Sequence, residues 1–298
     1  MRVMQNFIMR LNRGFLPWLT VFLFAFMLAG CSAIRLGYAN GDTVMYWWLN
    51  GYIDFTDDQK PWIKADIDQL MGWHRKTQLN DYAQWLTQVQ QRIQQRVTPE
   101  EVMGDYAATR KRVMLVVDKA LPELSKLAMD LKPEQIARLE KKFAANNDAY
   151  RKEYLKGDLE DRQLHRFKKV MKQAKYWFGD FDAQQEAQIR AASDARPLDN
   201  ELWAAERQLR QQELLRILKK IQAEQPSQEA VSAMLRQYVE RSFENFSYAE
   251  NKEFFDNTRT SASNMLAVMA NVATPEQRAH AAKRLQGWID DCHTLAAR

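Results

Sequence analysis

Residues of the types needed for nucleophilic catalysis are consecutive near the C-terminus, where Asp290, Asp291, Cys292 and His293 follow one another. A thiol becomes a nucleophile when an imidazole takes its proton and a carboxylate orients that imidazole. The apolar residues around them recur with the period of an α-helix, in which consecutive side chains point in different directions. These neighbours therefore do not form a catalytic set. We interpret Cys292 as a small apolar core residue, with an intermolecular disulfide or a reactive thiol as the alternative.

The four histidines do not follow a metal-binding pattern, because no His-Glu-x-x-His or Glu-x-x-His sequence occurs. They are His74, His165, His280 and His293. A glycine-rich phosphate loop and a nucleophile elbow are also absent from the sequence. We therefore expect no catalytic residues, no metal and no cofactor, and we predict that the protein is not an enzyme. His74 is interpreted as a packed or interfacial residue, with a ligand or acid–base role as the alternative.

A covalent modification is predicted at Cys31. Three arginines precede an apolar run over residues 15–28, and the small residues Ala29 and Gly30 separate that run from Cys31. This order is typical of a secretory signal, and the run is shorter than the roughly 20 apolar residues that cross a bilayer. We predict a signal peptide over residues 1–30, cleaved between Gly30 and Cys31. An uncleaved anchor helix with an incidental cysteine is the alternative.

The sequence Leu28-Ala29-Gly30-Cys31 resembles the lipobox of bacterial lipoproteins. This resemblance implies that the Cys31 thiol receives a diacylglycerol and that a fatty acid such as palmitate acylates the new amino group. Since two acyl chains already anchor a protein stably, a triply acylated Cys31 would hold the chain on a membrane. Ser32 follows, rather than Asp, and resemblance to enterobacterial lipoproteins then favours the periplasmic face of the outer membrane over the inner membrane.

Composition and charge restrict the class of partner. Without the predicted signal, the 298-residue chain is long enough for one large or two ordinary domains with a sizeable core. Three of its five net positive charges belong to Arg2, Arg10 and Arg13, so the remaining chain has a net charge of +2. Acidic and basic residues are interspersed there, which indicates a solvated surface and no nucleic-acid partner.

Aromatic residues are concentrated shortly after the predicted anchor, at Tyr46, Trp47, Trp48, Tyr52 and Phe55. Aromatic side chains with a polar atom favour membrane interfaces, so this segment is suited to contact lipid headgroups. Large aromatic side chains also dominate protein cores, and we favour that interpretation. We assign residues 31–55 to the lipid anchor with an aromatic lead-in, and residues 56–298 to a helical domain.

Apolar residues recur at helical spacing through the rest of the chain, and no run alternates with a period of two. Helix starts with a polar residue, often Pro next, and Glu or Gln third recur over residues 98–101, 132–135, 182–185 and 274–277, and residues 56–59 form a similar start. We predict an all-α fold, an elongated bundle of about eight or nine amphipathic helices packed as antiparallel hairpins. A helix break is expected over residues 77–80, and Pro122 is expected to kink or end its helix.

Several motifs together resemble an uncharacterised family of helical proteobacterial lipoproteins. Besides the lipobox, they are Leu36-Gly37-Tyr38, Tyr46-Trp47-Trp48-Leu49 and Trp73-His74-Arg75, followed by Thr77, Leu79 and Tyr82. The family brings no established activity, so the resemblance supports topology alone. We take Tyr46, Trp47, Trp48, Trp73, His74 and Arg75 as candidate interaction residues.

The sequence favours a binding or scaffold module in the cell envelope. Its expected partners are the lipid bilayer, through acylated Cys31, and an unidentified envelope protein. The helix start over residues 274–277 resembles the Leu-Thr-x-x-Gln motif of small periplasmic chaperones of the Spy and CpxP type, which implies a chaperone-like role as the alternative. An enzyme whose pocket is assembled from distant residues is the third candidate.

Overall fold

The structure is a computed structural model that describes residues 32–298. The predictions for Gly30 and Cys31 lie outside these described residues. Within residues 32–298 there are twelve α-helices and no strand, which confirms the all-α prediction with a higher helix count than expected. The helices are α1 Ser32–Ala39, α2 Gly41–Ile53, α3 Gln59–Thr77, α4 Leu79–Arg92, α5 Pro99–Asp130, α6 Pro133–Tyr154, α7 Leu159–Phe178, α8 Ala183–Asp194, α9 Asn200–Glu224, α10 Gln228–Glu244, α11 Lys252–Val272 and α12 Pro275–Ala296.

The structure confirms the predicted helix break over residues 77–80, whereas Pro122 does not end its helix. Helix α3 ends at Thr77 and α4 begins at Leu79. Helix α5 continues past the proline to Asp130. Leu121 and Leu127, on either side of the proline, are both packed into the core, and this tertiary packing outweighs the local preference.

The recurring sequence pattern marks true helix starts. Three of them are complete capping boxes, in which the capping side chain accepts from the third amide and the third side chain accepts from the capping amide; they begin at Thr98, Asp182 and Thr274. At Lys132 the capping side chain has no acceptor atom, and only the glutamine half is formed, with the Lys132 amide donating to Gln135 Oε1 at 2.9 Å.

Four of these starts meet in two pairs through their glutamines. Gln59 Nε2 donates to Gln135 Oε1 at 3.3 Å, and Gln135 Nε2 donates back to Gln59 Oε1 at 2.7 Å. Gln185 Nε2 donates to Gln277 Oε1 at 2.8 Å, and Gln277 Nε2 returns a bond of 3.2 Å. Each glutamine also donates to the carbonyl of a residue that precedes its partner's helix. A pair of hydrogen-bonded glutamines therefore joins two helix starts in each half of the molecule.

The two glutamine pairs lie in two different lobes. In the first lobe α2 packs on α6 and α3 packs on α5, while in the second lobe α7 packs on α12 and α8 packs on α11. The first lobe surrounds a core that includes Phe55, Ile63 and Leu139. The second lobe surrounds a core that includes Phe178, Ile189 and Ala281.

The remaining helices connect the two lobes. Helix α4 follows the first lobe in sequence but packs along α12 of the second, where Ala83 and Leu86 meet Leu285 and Ile289. Helices α9 and α10 leave the second lobe and pack on α6 and α5 of the first. Most of the extensive contacts therefore join helices that are far apart in the chain.

Helix α2 belongs to the first lobe, so the helical body includes part of the segment assigned as a lead-in. Tyr46 and Phe55 are buried in the first core, with ring centroids 5.8 Å apart. Among the helices of residues 32–298, none combines the length and the apolar character needed to cross a bilayer.

Candidate functional site

The predicted motif Trp73-His74-Arg75 contacts α1 of the same chain. His74 lies between two tyrosines, with Tyr38 Oη 2.7 Å from its Nδ1 and Tyr82 Oη 3.2 Å from its Nε2. The guanidinium of Arg75 lies over the Tyr38 ring, 5.9 Å from its centroid. Burial lowers the pKa of His74 and raises the pKa of both tyrosines, so all three side chains are neutral near pH 7. These contacts tie α1 to α3 and α4.

A second contact joins α1 to the last helix. Arg35 Nε lies 2.6 Å from Asp291 Oδ1, in an ion pair that is bent too far from the N–H direction to be a hydrogen bond. Asp291 is almost fully buried, while the Arg35 side chain is about one third exposed. We call this pair and the Tyr38–His74–Tyr82 contact the α1 clamp. The clamp fixes the segment that directly follows the predicted anchor.

Cys292, beside Asp291, packs against the Leu285 and Ile289 cluster and is half-buried. Burial and the neighbouring Asp291 carboxylate raise the pKa of its thiol. The thiolate is the reactive form, so the environment keeps this thiol unreactive at neutral pH. Within residues 32–298 there is also no group of three or more histidine, cysteine or acidic residues that could hold a metal ion.

The candidate aromatic residues of α2 separate onto two faces. Tyr46 faces the first core and is 7% exposed. Val44, Trp47 and Trp48 are 61%, 65% and 61% exposed, and their spacing of three and four residues places them on one side of the helix. We call these three residues the apolar face of α2. Asp42 is the one charged residue of this helix, so α2 is apolar on its open side as well as on its packed side.

A large cavity among the described residues was not foreseen from the sequence. It has a volume of about 860 Å³ and lies between the end of α6, one face of α7, the α8–α9 connection, the start of α9 and α11. We call it the cleft. A cavity of this size accepts a small organic ligand.

Basic side chains form one side of the cleft. Arg162, His165, Arg166 and Lys169 recur at three- and four-residue spacing along α7, and Arg196 comes from the α8–α9 connection. Two of these cations have carboxylate partners. Arg162 pairs with Glu201, with Nη1 donating to both carboxylate oxygens at 2.8 and 2.9 Å, and Lys169 pairs with Glu153.

Arg166 and Arg196 are different, because within residues 32–298 neither has a carboxylate oxygen within 4.0 Å. Arg166 instead donates to three backbone carbonyls, at 2.7 Å from Ser193, 3.1 Å from Pro197 and 3.2 Å from Arg196. The Arg196 side chain instead donates from Nη1 to the sulfur atom of Met265, at 3.6 Å.

The electrostatic environment disfavours both of these charges. Burial, and then the charge of Arg196, lower the pKa of Arg166, and burial lowers the pKa of Arg196. Both guanidinium groups remain protonated at any physiological pH, since arginine is by far the most basic side chain. The cleft therefore holds two half-buried positive charges without ion-pair partners.

The other side of the cleft is apolar. Met265, Leu266 and Met269 of α11 face it, together with Val170 of α7 and Trp203 of α9. Methionine side chains are flexible and polarisable, and they adapt to ligands of varied shape. The cleft thus combines a basic side with an adaptable apolar side.

A family model described as a family of unknown function, DUF6279, matches residues 51–241, which is more than half of the chain. The chain belongs to this family. A search of curated proteins found no match, and a search of solved structures also found none. The expectation of an uncharacterised family is therefore confirmed at the level of a family of unknown function.

The DUF6279 match includes the basic side of the cleft, from Arg162 to Arg196, and the Trp73-His74-Arg75 motif. The methionines of α11 and the apolar face of α2 lie outside the matched residues. One signal in this DUF6279 chain pointed to the basic side, namely basic residues at 162, 166 and 169 on one helical face. Arg196 and the α11 residues carry no such signal, because only the packing of α7, α9 and α11 brings them there.

Proposed function

We propose that this DUF6279 protein is a lipid-anchored lipoprotein of the cell envelope, held on the periplasmic face of the outer membrane, and that it serves there as a binding or scaffold module. The observation that supports this proposal is the apolar face of α2. A helix with apolar side chains on two opposite sides needs cover on both, and the first lobe covers only the side that carries Tyr46.

The membrane is the proposed cover for the open side. Tryptophan favours the membrane–water interface, because its ring is apolar and its N–H is polar. Val44 is 13 positions after Cys31, and at about 1.5 Å per helical residue the apolar face lies within roughly 25 Å of the predicted acyl chains. The bilayer surface is therefore within reach of Trp47 and Trp48.

The α1 clamp supports the same arrangement. A flexible tether would let the domain move away from the bilayer, whereas α1 is a helix fixed to α3 and α12 by His74 and Asp291. With α1 fixed, the anchor and the apolar face of α2 keep a constant separation. The proposed module therefore has a defined orientation on the membrane.

Quenching by brominated lipids tests this proposal on the full-length protein in vesicles. Because bromine on the acyl chains quenches nearby tryptophan emission, we expect quenching in the unchanged protein and loss of most of it in Trp47→Phe/Trp48→Phe. Trp288→Phe, which removes a half-buried tryptophan of α12, is the matched control and should keep the quenching. Cys31→Ser should remain unlabelled by palmitate.

Two results would contradict the proposal. If the double variant is quenched as strongly as the unchanged protein, Trp47 and Trp48 do not lie at the lipid surface, and a protein partner covers them instead. Palmitate labelling that persists in Cys31→Ser would exclude the predicted anchor.

A chaperone-like role is the second candidate, and a different observation favours it. Tyr106, Val113 and Leu115 on α5 are large apolar residues that are about 40% exposed, as is Met103 nearby. Exposed apolar surface is what a chaperone offers to unfolded chains. In-cell crosslinking distinguishes the two roles, since one abundant partner indicates a scaffold and many unrelated clients indicate a chaperone.

A further inference from the structure

The cleft has unused hydrogen-bond donors as well as unpaired charge. Among residues 32–298, the buried Nε atoms of Arg162, Arg166 and Arg196 have no hydrogen-bond partner, and Thr258 Oγ1 of α11 is in the same state. Buried polar groups are nearly always satisfied in proteins, so each exception needs an explanation. All four side chains line one cavity. A ligand that accepts hydrogen bonds there would explain these exceptions together.

The charge of the lining specifies the sign of that ligand. Five cationic side chains line the cleft, namely Lys156, Arg162, Arg166, Lys169 and Arg196, against the two carboxylates of Glu153 and Asp161. Counting Glu201, which pairs with Arg162, leaves an excess of two positive charges. A phosphate monoester carries close to two negative charges at pH 7, and arginine binds it with two parallel hydrogen bonds.

Arg166 donates to carbonyls at and just after the end of α8, which orients its guanidinium in the cleft. A guanidinium that donates to backbone carbonyls is oriented by them, but its charge is not neutralised. Arg196 lies beside it with one weak contact to a sulfur atom. The charge of Arg196 disfavours that of Arg166, and an anion bound between the two guanidinium groups would offset this repulsion.

We propose that the cleft binds a phosphate monoester attached to an apolar body, with the phosphate at Arg166 and Arg196 and the apolar body along Met265, Leu266 and Met269. This inference does not depend on the proposed membrane orientation, because none of these residues belongs to α2 or to the α1 clamp. The cavity volume of about 860 Å³ accepts a ligand that carries both parts.

Calorimetric titration of the full-length protein tests the proposal with three probes. Hexyl phosphate carries both parts, inorganic phosphate carries only the anion, and hexyl glucoside carries only the chain. We expect hexyl phosphate to bind with one-to-one stoichiometry and at least about tenfold more tightly than either of the other probes. Equal binding of inorganic phosphate would overturn the apolar part of the proposal, and equal binding of hexyl glucoside would overturn the anionic part. No binding of hexyl phosphate would overturn both parts.

Arg196→Gln is the decisive variant, because Arg196 has no backbone hydrogen bond to lose. We expect it to weaken binding of hexyl phosphate about tenfold or more, since a charge-assisted hydrogen bond is removed. Arg236→Gln is the matched control, because it removes one arginine of α10 that pairs with Asp118 and lies outside the cleft. Its affinity should equal that of the unchanged protein, and equal loss in both variants would contradict a specific site.

A stability measurement separates a ligand-binding arginine from a structural one. Arg196→Met removes a half-buried charge that has no partner, so the protein without ligand should unfold at the same or a higher temperature. Hexyl phosphate should raise the unfolding temperature of the unchanged protein and not that of this variant. A lower unfolding temperature together with unchanged affinity would show that Arg196 serves only the fold.

Discussion

At the scale of single residues, His74 shows how a side chain suited to chemistry is used for packing. Its two ring nitrogens are both occupied by tyrosine hydroxyls, and one of these, from Tyr38, belongs to α1. A neutral imidazole has one donor and one acceptor, so one tyrosine donates to it and the other accepts from it. Protonation would turn both nitrogens into donors, so the tyrosine that donates to the neutral ring would have to accept instead, and it would place a positive charge in a largely buried site.

The stability of the protein should therefore depend on pH through His74. Burial lowers the pKa of His74 in the folded state, so below about pH 6.5 the unfolded chain binds more protons, and stability falls as the pH drops from 7 to 5. Denaturant unfolding at several pH values should show a smaller fall in His74→Gln than in the unchanged protein. His293→Gln serves as the control. If His74→Gln and the unchanged protein have the same slope, His74 does not control this transition.

At the scale of elements, the paired glutamines combine capping with tertiary contact. Gln59 Oε1 accepts from the amide of Thr56 at the start of its own helix and also from Gln135, while its Nε2 donates to the carbonyl of Asp130. A capping residue usually serves one helix end. Here each glutamine links the starts of two helices, and these links fix the orientation of the two helices relative to each other within one lobe.

Replacing one of these glutamines should lower the free energy of unfolding by more than the net contribution of its own hydrogen bonds, because buried groups of other residues lose a partner. Gln59→Ala removes the acceptor of the Thr56 amide, one of the two hydrogen bonds donated by Gln135 Nε2, and the side-chain donor to the carbonyl of Asp130, and we expect a loss of about 2–3 kcal/mol in the free energy of unfolding. The double variant Gln59→Ala/Gln135→Ala should lose less than the sum of the two single variants, because the partners leave together. Additive losses in denaturant unfolding would show that the two glutamines act separately.

At the scale of the whole molecule, the crossing of α4, α9 and α10 joins the two lobes. Each of these helices is connected in sequence to one lobe and packed on the other. If the lobes separated with α4 following α3, Leu86 would lose its contacts with Leu285 and Ile289 of α12 and become exposed. Exposure of that apolar surface is unfavourable, so the lobes should not unfold independently.

A single unfolding transition is the expected result of this arrangement. Ile221→Ala in the first core and Ile189→Ala in the second core each remove a fully buried side chain, and each should destabilise the protein by about 2–5 kcal/mol. Denaturant unfolding followed by far-ultraviolet circular dichroism should shift as one transition in both variants. A variant that moves only part of the signal would reveal two separate folding units.

The sequence by itself determined the helices and most of their ends. Amphipathic spacing and capping act over about four residues, so the starts at Thr98 and Thr274 and the break after Thr77 could be predicted from local composition. The helix count was underestimated, because α1 and α2 lie in a segment rich in aromatic residues that was assigned as a lead-in.

The tertiary structure alone decided which residues meet. Local rules did not show that Gln59 would pair with Gln135, that α11 would supply the apolar side of the cleft, or that Tyr46 would be buried while Trp48 stays exposed. Each of these depends on which face of a helix turns toward a partner far away in the chain. That choice is made by the packing of the whole core, because neighbouring faces of an apolar helix such as α2 are nearly equivalent until the other helices are in place.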